Sequence, residues 1–234
     1  MNIYLDIETI PGQDESIATA IMADVENEIK NLKPPGNYKK QETIDAWLAE
    51  ENSKLVASFD DRFRKCSFDG GRGEIVSISF AIDDHSAFSK CRDKGTDEDE
   101  LLAEFWDTLM IDTAANKHAR YSDKVWIGHN IRAFDLPFLY KRCVINGIRP
   151  PLDVPFSSGP SDKRVFDTMT AWAGWGQRIS QDALCDALKL PMKNIMTGAD
   201  IYDYWLAKRF TEIGEYNQCD VETVRAIHKR MTFA

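Results

Sequence analysis

Paired cysteines, long apolar runs and an excess of positive charge are all missing from this 234-residue sequence. Its five cysteines (Cys66, Cys91, Cys143, Cys185 and Cys219) are odd in number, widely spaced and never in a CxxC pair. That spacing excludes a disulfide framework and a zinc site, and predicts the reduced thiols of a cytoplasmic protein. No apolar run approaches the ~20 residues of a membrane span. The stretch Ile75 to Ile82 is strand-sized, and Met1 to Ile10 lacks the basic and apolar regions of a secretory signal. No membrane partner is therefore expected. A P-loop is absent too, which argues against a helicase. The 29 Lys and Arg residues are outnumbered by 38 Asp and Glu, for a net charge of −9. Such a balance disfavours a protein that coats nucleic acid through a basic surface. It leaves room for an enzyme whose acids hold metal ions that then meet a phosphate.

What is present is an ordinary globular composition, 43% hydrophobic and 29% charged, long enough for one large domain or two small ones. Asn2 to Thr9 reads as a short strand ending in carboxylates, and Glu74 to Asp83 as a buried strand, with His85 to Lys90 pairing back on it. Thr96 to Thr113 has helical periodicity. Lys124 to Asn130 is a strand, Ala133 to Asn146 a helix, and Arg164 to Thr168 a short strand. Helical patterns follow at Gln181 to Lys189, Asp200 to Phe210 and Glu212 to Thr232. Strands in pairs, then strands alternating with helices, predict an α/β fold with a mixed sheet. The polar stretch between Pro11 and Arg72 breaks this rhythm. It carries two helical patterns, Ser16 to Leu32 and Glu42 to Ala57, on either side of Lys33-Pro34-Pro35-Gly36-Asn37, and reads as an insertion that docks on a neighbour. Pro150 to Ser161, with four prolines, reads as a surface loop.

Three short motifs carry the chemistry. Asp6 and Glu8, two apart at the end of an apolar strand, point to the same face and suit a shared metal. Alone they favour a solvated strand end, a reading that the surrounding Ile3, Tyr4, Leu5, Ile7 and Ile10 of a buried strand count against. Asn130 to Asp135 joins a strand to a helix. In isolation, Asp135 is an N-cap before Leu136-Pro137 and Asn130 a turn residue. Tyr216 and Asp220, four apart in the last helix, share one helical face. The plain alternative there is an amphipathic helix with a solvated Asp220.

Taken in order, D-x-E, N-x-x-x-F-D and Y-x-x-x-D, the chain resembles the DEDDy branch of the ribonuclease H-like 3′–5′ exonucleases. The likeness is greatest to the proofreading exonuclease domains of family-B DNA polymerases, through Asp6-Ile7-Glu8-Thr9. The resemblance implies a three-layer α/β fold with a mixed, mostly five-stranded sheet. Residues 1–234 would form a single domain with a mainly helical insertion at about 12–72. It further implies hydrolysis of phosphodiester bonds at the 3′ end of single-stranded DNA or RNA, DNA favoured, with two Mg²⁺ or Mn²⁺ ions. Oxygen-only ligands suit such ions. By the same resemblance Asp6 would bridge both ions. Glu8 and Asp220 would complete the site that activates water, and Asp135 would hold the second ion. Tyr216 would orient the water and assist its deprotonation. Thr9, Ile10, Asn130 and Phe134 would contact the terminal nucleotide, Ile10 through its base. Arg132, Lys141, Arg142, Arg164 and Arg178 are candidates for a basic groove, as are Lys33, Lys39 and Lys40 for a clamp. Asp167 reads as a supporting residue. A separate polymerase or repair protein is the expected partner. Two rival readings are a non-catalytic module of the same fold and a phosphatase of the haloacid dehalogenase type. The phosphatase motif lacks a second Asp, since Glu8 stands there.

Overall fold

Aliphatic residues alternate along the first strand, and helices cover both of its faces. The computed structural model describes residues 1–115, 124–151, 153–191 and 196–234. The chain runs β1 (Asn2–Pro11), α1 (Glu15–Lys30), α2 (Gln41–Ala57), α3 (Phe59–Lys65), β2 (Gly73–Ile82), β3 (Phe88–Cys91) and α4 (Glu98–Ala115). It continues through β4 (Val125–Gly128), α5 (Asp135–Ile145), β5 (Val165–Asp167), α6 (Thr168–Ala173), α7 (Gln181–Leu188), α8 (Ile201–Leu206) and α9 (Phe210–Thr232). The sheet order is β3-β2-β1-β4-β5. β2 is antiparallel to β1 and β3, and β4 runs parallel to β1 and β5. This is the expected mixed five-stranded α/β sheet.

Alternation on β1 decides where everything else sits. Ile3, Leu5 and Ile7 enter a core with Leu101 and Phe105 of α4 and Leu136 and Leu139 of α5. Tyr4 points the other way, against Val221 and Val224 of α9. Ile10 also faces that side, in a cluster with Trp205 of α8 and Ile213 of α9. Asp6 and Glu8 share this parity, so their side chains look toward α9. A register shift between Glu8 and Thr9 marks a β-bulge at the strand's acidic end. On the same face β2 presents Ser77 and Ser79, and their small hydroxyls let α9 approach. Ser79 donates to Ser89, and Ser89 to the carbonyl of Gly214. At the end of β4, a Cβ on Gly128 would lie 2.7 Å from the Ile131 side chain and 3.0 Å from the Leu5 carbonyl. Glycine is needed there for the chain to turn back tightly toward β1.

The stretch between β1 and β2 is helical. Asp14 caps α1 by accepting from the Ser16 amide, and Ile21 and Val25 of α1 are buried. No residue of α2 is buried. α3 was not anticipated, because seven charge-rich residues carry no apolar periodicity. It is held by pairing to two neighbouring helices. Arg62 makes a bidentate bond to Glu28 of α1, and Arg64 reaches Asp203 of α8 at 2.8 Å. α6 was also missed. It is only six residues long, and its signal is its cap: Asp167 accepts from the Met169 and Thr170 amides. The helix expected over Asp200 to Phe210 stops at Leu206, where Lys208 takes a left-handed conformation (φ +59°) and the chain restarts as α9. Of the loop Pro150 to Ser161, Leu152 lies outside the described residues.

One buried ion pair ties the helices on the α4 side. Glu98, 6% exposed, accepts from Arg142 of α5, from Asn146 and from the Ile75 amide. Arg142 is thus a structural residue and no part of a basic groove. Replacing Glu98 with Ala strands the guanidinium, and urea unfolding should record a loss of about 3–5 kcal/mol. Lys141→Ala, which removes the half-exposed pair with Asp69, should cost under about 1 kcal/mol. Equal losses in the two variants would contradict this account.

Candidate metal centre and active site

Asp6 and Glu8 are carried into one cleft by β1, Asp135 by the start of α5, and Tyr216 and Asp220 by α9. Asp6, Glu8 and Asp220 each offer a carboxylate oxygen, and the three oxygens lie within 4.8 Å of one another. Asp135 stands apart from that trio but lines the same cleft of about 280 Å³. It is the first residue of α5, one past the cap position, so it is not the N-cap that its sequence context also allowed. Its Oδ1 instead accepts from the Ile7 amide at 3.2 Å, which ties α5 to the strand bearing the other two acids.

Side-chain amides position the acids. Asn217, fully buried, donates to Asp6 Oδ2 at 2.6 Å and accepts from the Ser77 hydroxyl at 2.9 Å. Gln181, at the start of α7, donates to Asp220 Oδ1 at 3.0 Å. Neither was singled out from sequence. Asn217 had a readable signal, because it falls on the apolar stripe Ile213, Asn217, Val221, Val224 of α9. A polar residue there must find a buried partner. Gln181 had none.

The electrostatics follow from burial. Desolvation pushes the Asp6 carboxyl well above the usual carboxylate range, and the charges of Asp135, Glu8 and Asp220 push it further, while the Asn217 amide acts the other way. Glu8 is raised well above its ordinary value by burial and then by Asp220 and Asp135. Asp135 is pushed up to about 7, chiefly by burial. Burial and the nearby Asp220, Glu8 and Asp6 raise the Tyr216 phenol as well. Without a counter-charge Tyr216 therefore keeps its proton and can orient a water by donating or accepting. Among the described residues, carboxylate oxygens alone make up the close donor set, which fits Mg²⁺ or Mn²⁺ and not a thiolate-bound metal. His129 lines the cleft but is committed elsewhere. Its Nε2–H donates to the Ile179 carbonyl at 2.9 Å, its Nδ1 faces the Thr168 hydroxyl, and burial lowers its pKa.

The expected substrate residues divide. Phe134 lines the cleft and packs on Phe138. Its ring also meets Phe68, centroids 6.4 Å apart, and Phe68 is 70% exposed at the end of the helical insertion. Thr9 does not line the cleft, and its hydroxyl donates to the Ser67 carbonyl at 2.7 Å. Ile10 does not reach the cleft and is fully buried beside Trp205 and Ile213. A base cannot pack on it in this arrangement. Asn130, in a left-handed conformation (φ +65°), lines a neighbouring cavity. Among the expected cations, Arg132 donates to the carbonyls of Gly159, Asp162 and Val165, which makes it a loop clamp. Arg164 pairs with Asp162. Asp167 also accepts from the Asn130 and Arg132 amides, which fits its expected supporting place.

Because Asp6, Glu8 and Asp135 hold protons in the folded state that the unfolded chain releases, their contribution is complete below the ordinary carboxylate range. It is lost as pH rises through the folded values, between 3.8 and about 7 for Asp135. A bound divalent cation offsets that loss. Saturating Mn²⁺ or Mg²⁺ (about 100 times Kd) should add about 2.7 kcal/mol. At about 2–4 °C per kcal/mol, the melting midpoint should rise by roughly 5–10 °C, more near pH 8 than near pH 5. Asp6→Asn should raise the metal-free midpoint and blunt the response to metal. A wild-type midpoint indifferent to both ions would count against a metal centre.

Residues 72–233 match a family described as a predicted 3′–5′ exonuclease related to the exonuclease domain of PolB. The match begins past the helical insertion, so Asp6 and Glu8 fall outside it and stand on geometry alone. No curated protein matches the chain. Among solved structures, the family B DNA polymerase from the hyperthermophilic archaeon Pyrobaculum calidifontis is similar, with a TM-score of 0.52 and 19% identity. The alignment covers 70% of this chain and 22% of that polymerase. Identity at that level speaks for the fold alone. On the family match, which spans more than half of its length, the chain belongs to the family of predicted 3′–5′ exonucleases related to the exonuclease domain of PolB.

Proposed function

We propose that this cleft removes nucleotides from the 3′ end of single-stranded nucleic acid, DNA in preference to RNA. Each phosphodiester is hydrolysed to release a nucleoside 5′-monophosphate. The observation that carries the reading is the meeting of carboxylates from β1, α5 and α9 in one cleft, three of them with oxygens within 4.8 Å. Asp6, Glu8 and Asp220 would hold one divalent cation, and Asp6 with Asp135 a second. Such ions neutralise charge on the attacking and leaving oxygens and lower the pKa of water. Every other part of the work falls to the chain itself. Asn217 and Gln181 hold the carboxylates of Asp6 and Asp220 in place, and the Ile7 amide does the same for Asp135. Tyr216, beside Asp220 on the same helical face, orients the attacking water. Phe134 and the exposed Phe68 form an aromatic wall against which the terminal base stacks.

The test is digestion of end-labelled single-stranded DNA and RNA with Mg²⁺, Mn²⁺ or EDTA. Stepwise shortening from the 3′ end that EDTA stops is the expected result, whereas internal cuts or indifference to EDTA would sink the reading. Asn217→Ala and Gln181→Ala should each cost about 10–100-fold in kcat/KM, as losses of an outer support to a metal ligand do, and Asp220→Ala should cost more. Tyr216→Phe should lower kcat about 100-fold through misplaced water. Phe68→Ala should act on KM, by about 1–3 kcal/mol of lost stacking.

A further inference from the structure

Next to the acidic cleft is a second cavity, also of about 280 Å³, that the proposed hydrolysis does not use. Its walls include Asn130, Trp175 and Arg178, with Arg132 and the Asp167 carboxylate, which backbone amides of Asn130, Arg132, Met169 and Thr170 already engage. Both walls run on in sequence into the cleft. His129 and Phe134 line the cleft beside Asn130 and Ala133, and Ser180 and Gln181 line it just past Arg178. Where the two walls pass from one cavity to the other, His129 Nε2–H donates to the Ile179 carbonyl at 2.9 Å.

The chemistry of this cavity differs from that of the cleft. Trp175 is 63% exposed, on an excursion between α6 and α7 bent by Gly174 (φ +90°) and Gly176 (φ +78°). An indole left in water on a turn of this kind offers a flat apolar face at low ordering cost. Arg178 is exposed and has no carboxylate partner among the described residues. Of the cations singled out from sequence nearby, Arg132 donates to three carbonyls and Lys141 pairs with Asp69. Arg178 is thus a cation of this cavity placed to meet a phosphate as a strand leaves the acids. The side-chain amide of Asn130, held on its left-handed turn, adds a donor and an acceptor at the same wall.

We propose that this cavity holds a nucleotide upstream of the 3′ end, with its base stacked on Trp175 and its phosphate paired with Arg178. The inference rests on the exonuclease reading, and it assigns the enzyme a grip on the strand that is separate from the metal centre. Stacking with a single cation favours a flexible single strand, since every base presents a π-face and a duplex does not expose one. A duplex would also have to approach a chain with a net charge of −9.

Two measurements test this, each made on wild type, Trp175→Ala, Trp175→Phe and Arg178→Ala. The first is KM for an oligothymidylate dinucleotide and octamer with Mn²⁺. The second is anisotropy of a 5′-fluorescein octamer in EDTA, where nothing is cut. In wild type the octamer should have the lower KM, by about tenfold, and Trp175→Ala and Arg178→Ala should each remove most of that length advantage. Trp175→Phe should restore it, as a merely structural role for the indole would not require. An unchanged length advantage in Trp175→Ala overturns the proposal. If wild type cuts neither oligonucleotide, the exonuclease reading fails and anisotropy alone judges the cavity. Wild type and Trp175→Ala binding the octamer equally, or neither binding it, then overturns it.

Discussion

Asp6 and Glu8 stand on a strand covered by helices on both faces, Asp6 half-buried and Glu8 9% exposed, and a carboxylate there meets little bulk water. It can stay ionised only if the protein or a bound cation supplies positive charge, and much of the surrounding architecture does so in part. Ile7 contributes a backbone amide to Asp135, Asn217 a side-chain amide to Asp6, and Gln181 another to Asp220. None of these is a full charge. The acids therefore remain shifted toward protonation, and the cleft is left short of positive charge in the way a divalent ion would complete.

The rest of the fold keeps this unstable group in register. β1 sits at the centre of the sheet, with the antiparallel β2 on one side and the parallel β4 on the other. α5 is fastened to β1 through Asp135 at its first residue and to α4 through the Arg142–Glu98 pair. α9 is fastened through Asn217, Ser77 and the hydroxyl chain that ends at Gly214. Polar bonds that look merely structural on each helix thus set the positions of three acids relative to one another. A site of this kind tolerates little loosening, because its donors must hold within fractions of an ångström to be useful.

Much of this was legible in the sequence where a local pattern carried it. Period-two alternation placed Asp6 and Glu8 on one face of a strand, and the four-residue spacing placed Tyr216 and Asp220 on one face of α9. What was not legible depended on partners far along the chain. Ile10 shares its face with Glu8, but α8 and α9 cover it, and nothing near Ile10 announces that they arrive. Arg142 looks like a surface cation until Glu98, 44 residues earlier, is found beside it. Arg132 looks free until the carbonyls of Gly159, Asp162 and Val165, some 30 residues later, are found on its guanidinium. Short helices such as α3 and α6 are set by ion pairs and a cap, with too few residues to show a period. Phe68 went unread because its exposure, not its type, is what marks it.

The helical insertion leaves β1 at Pro11 and returns at Gly73, and these two residues face each other as partners in the β1–β2 ladder. Topologically the whole excursion is an overgrown hairpin loop whose two ends the sheet already holds together. Loop-closure entropy grows only by about 0.6 kcal/mol per doubling of length, so its length is nearly free to vary. Lineages could therefore have enlarged, trimmed or exchanged α1 and α2 without disturbing the acids a few residues away. The final turn is under different constraint, since Ser67 bonds Thr9 and Phe68 meets Phe134. Across a set of related chains this segment should look like two histories joined end to end, a drifting outer part and a closely held last turn.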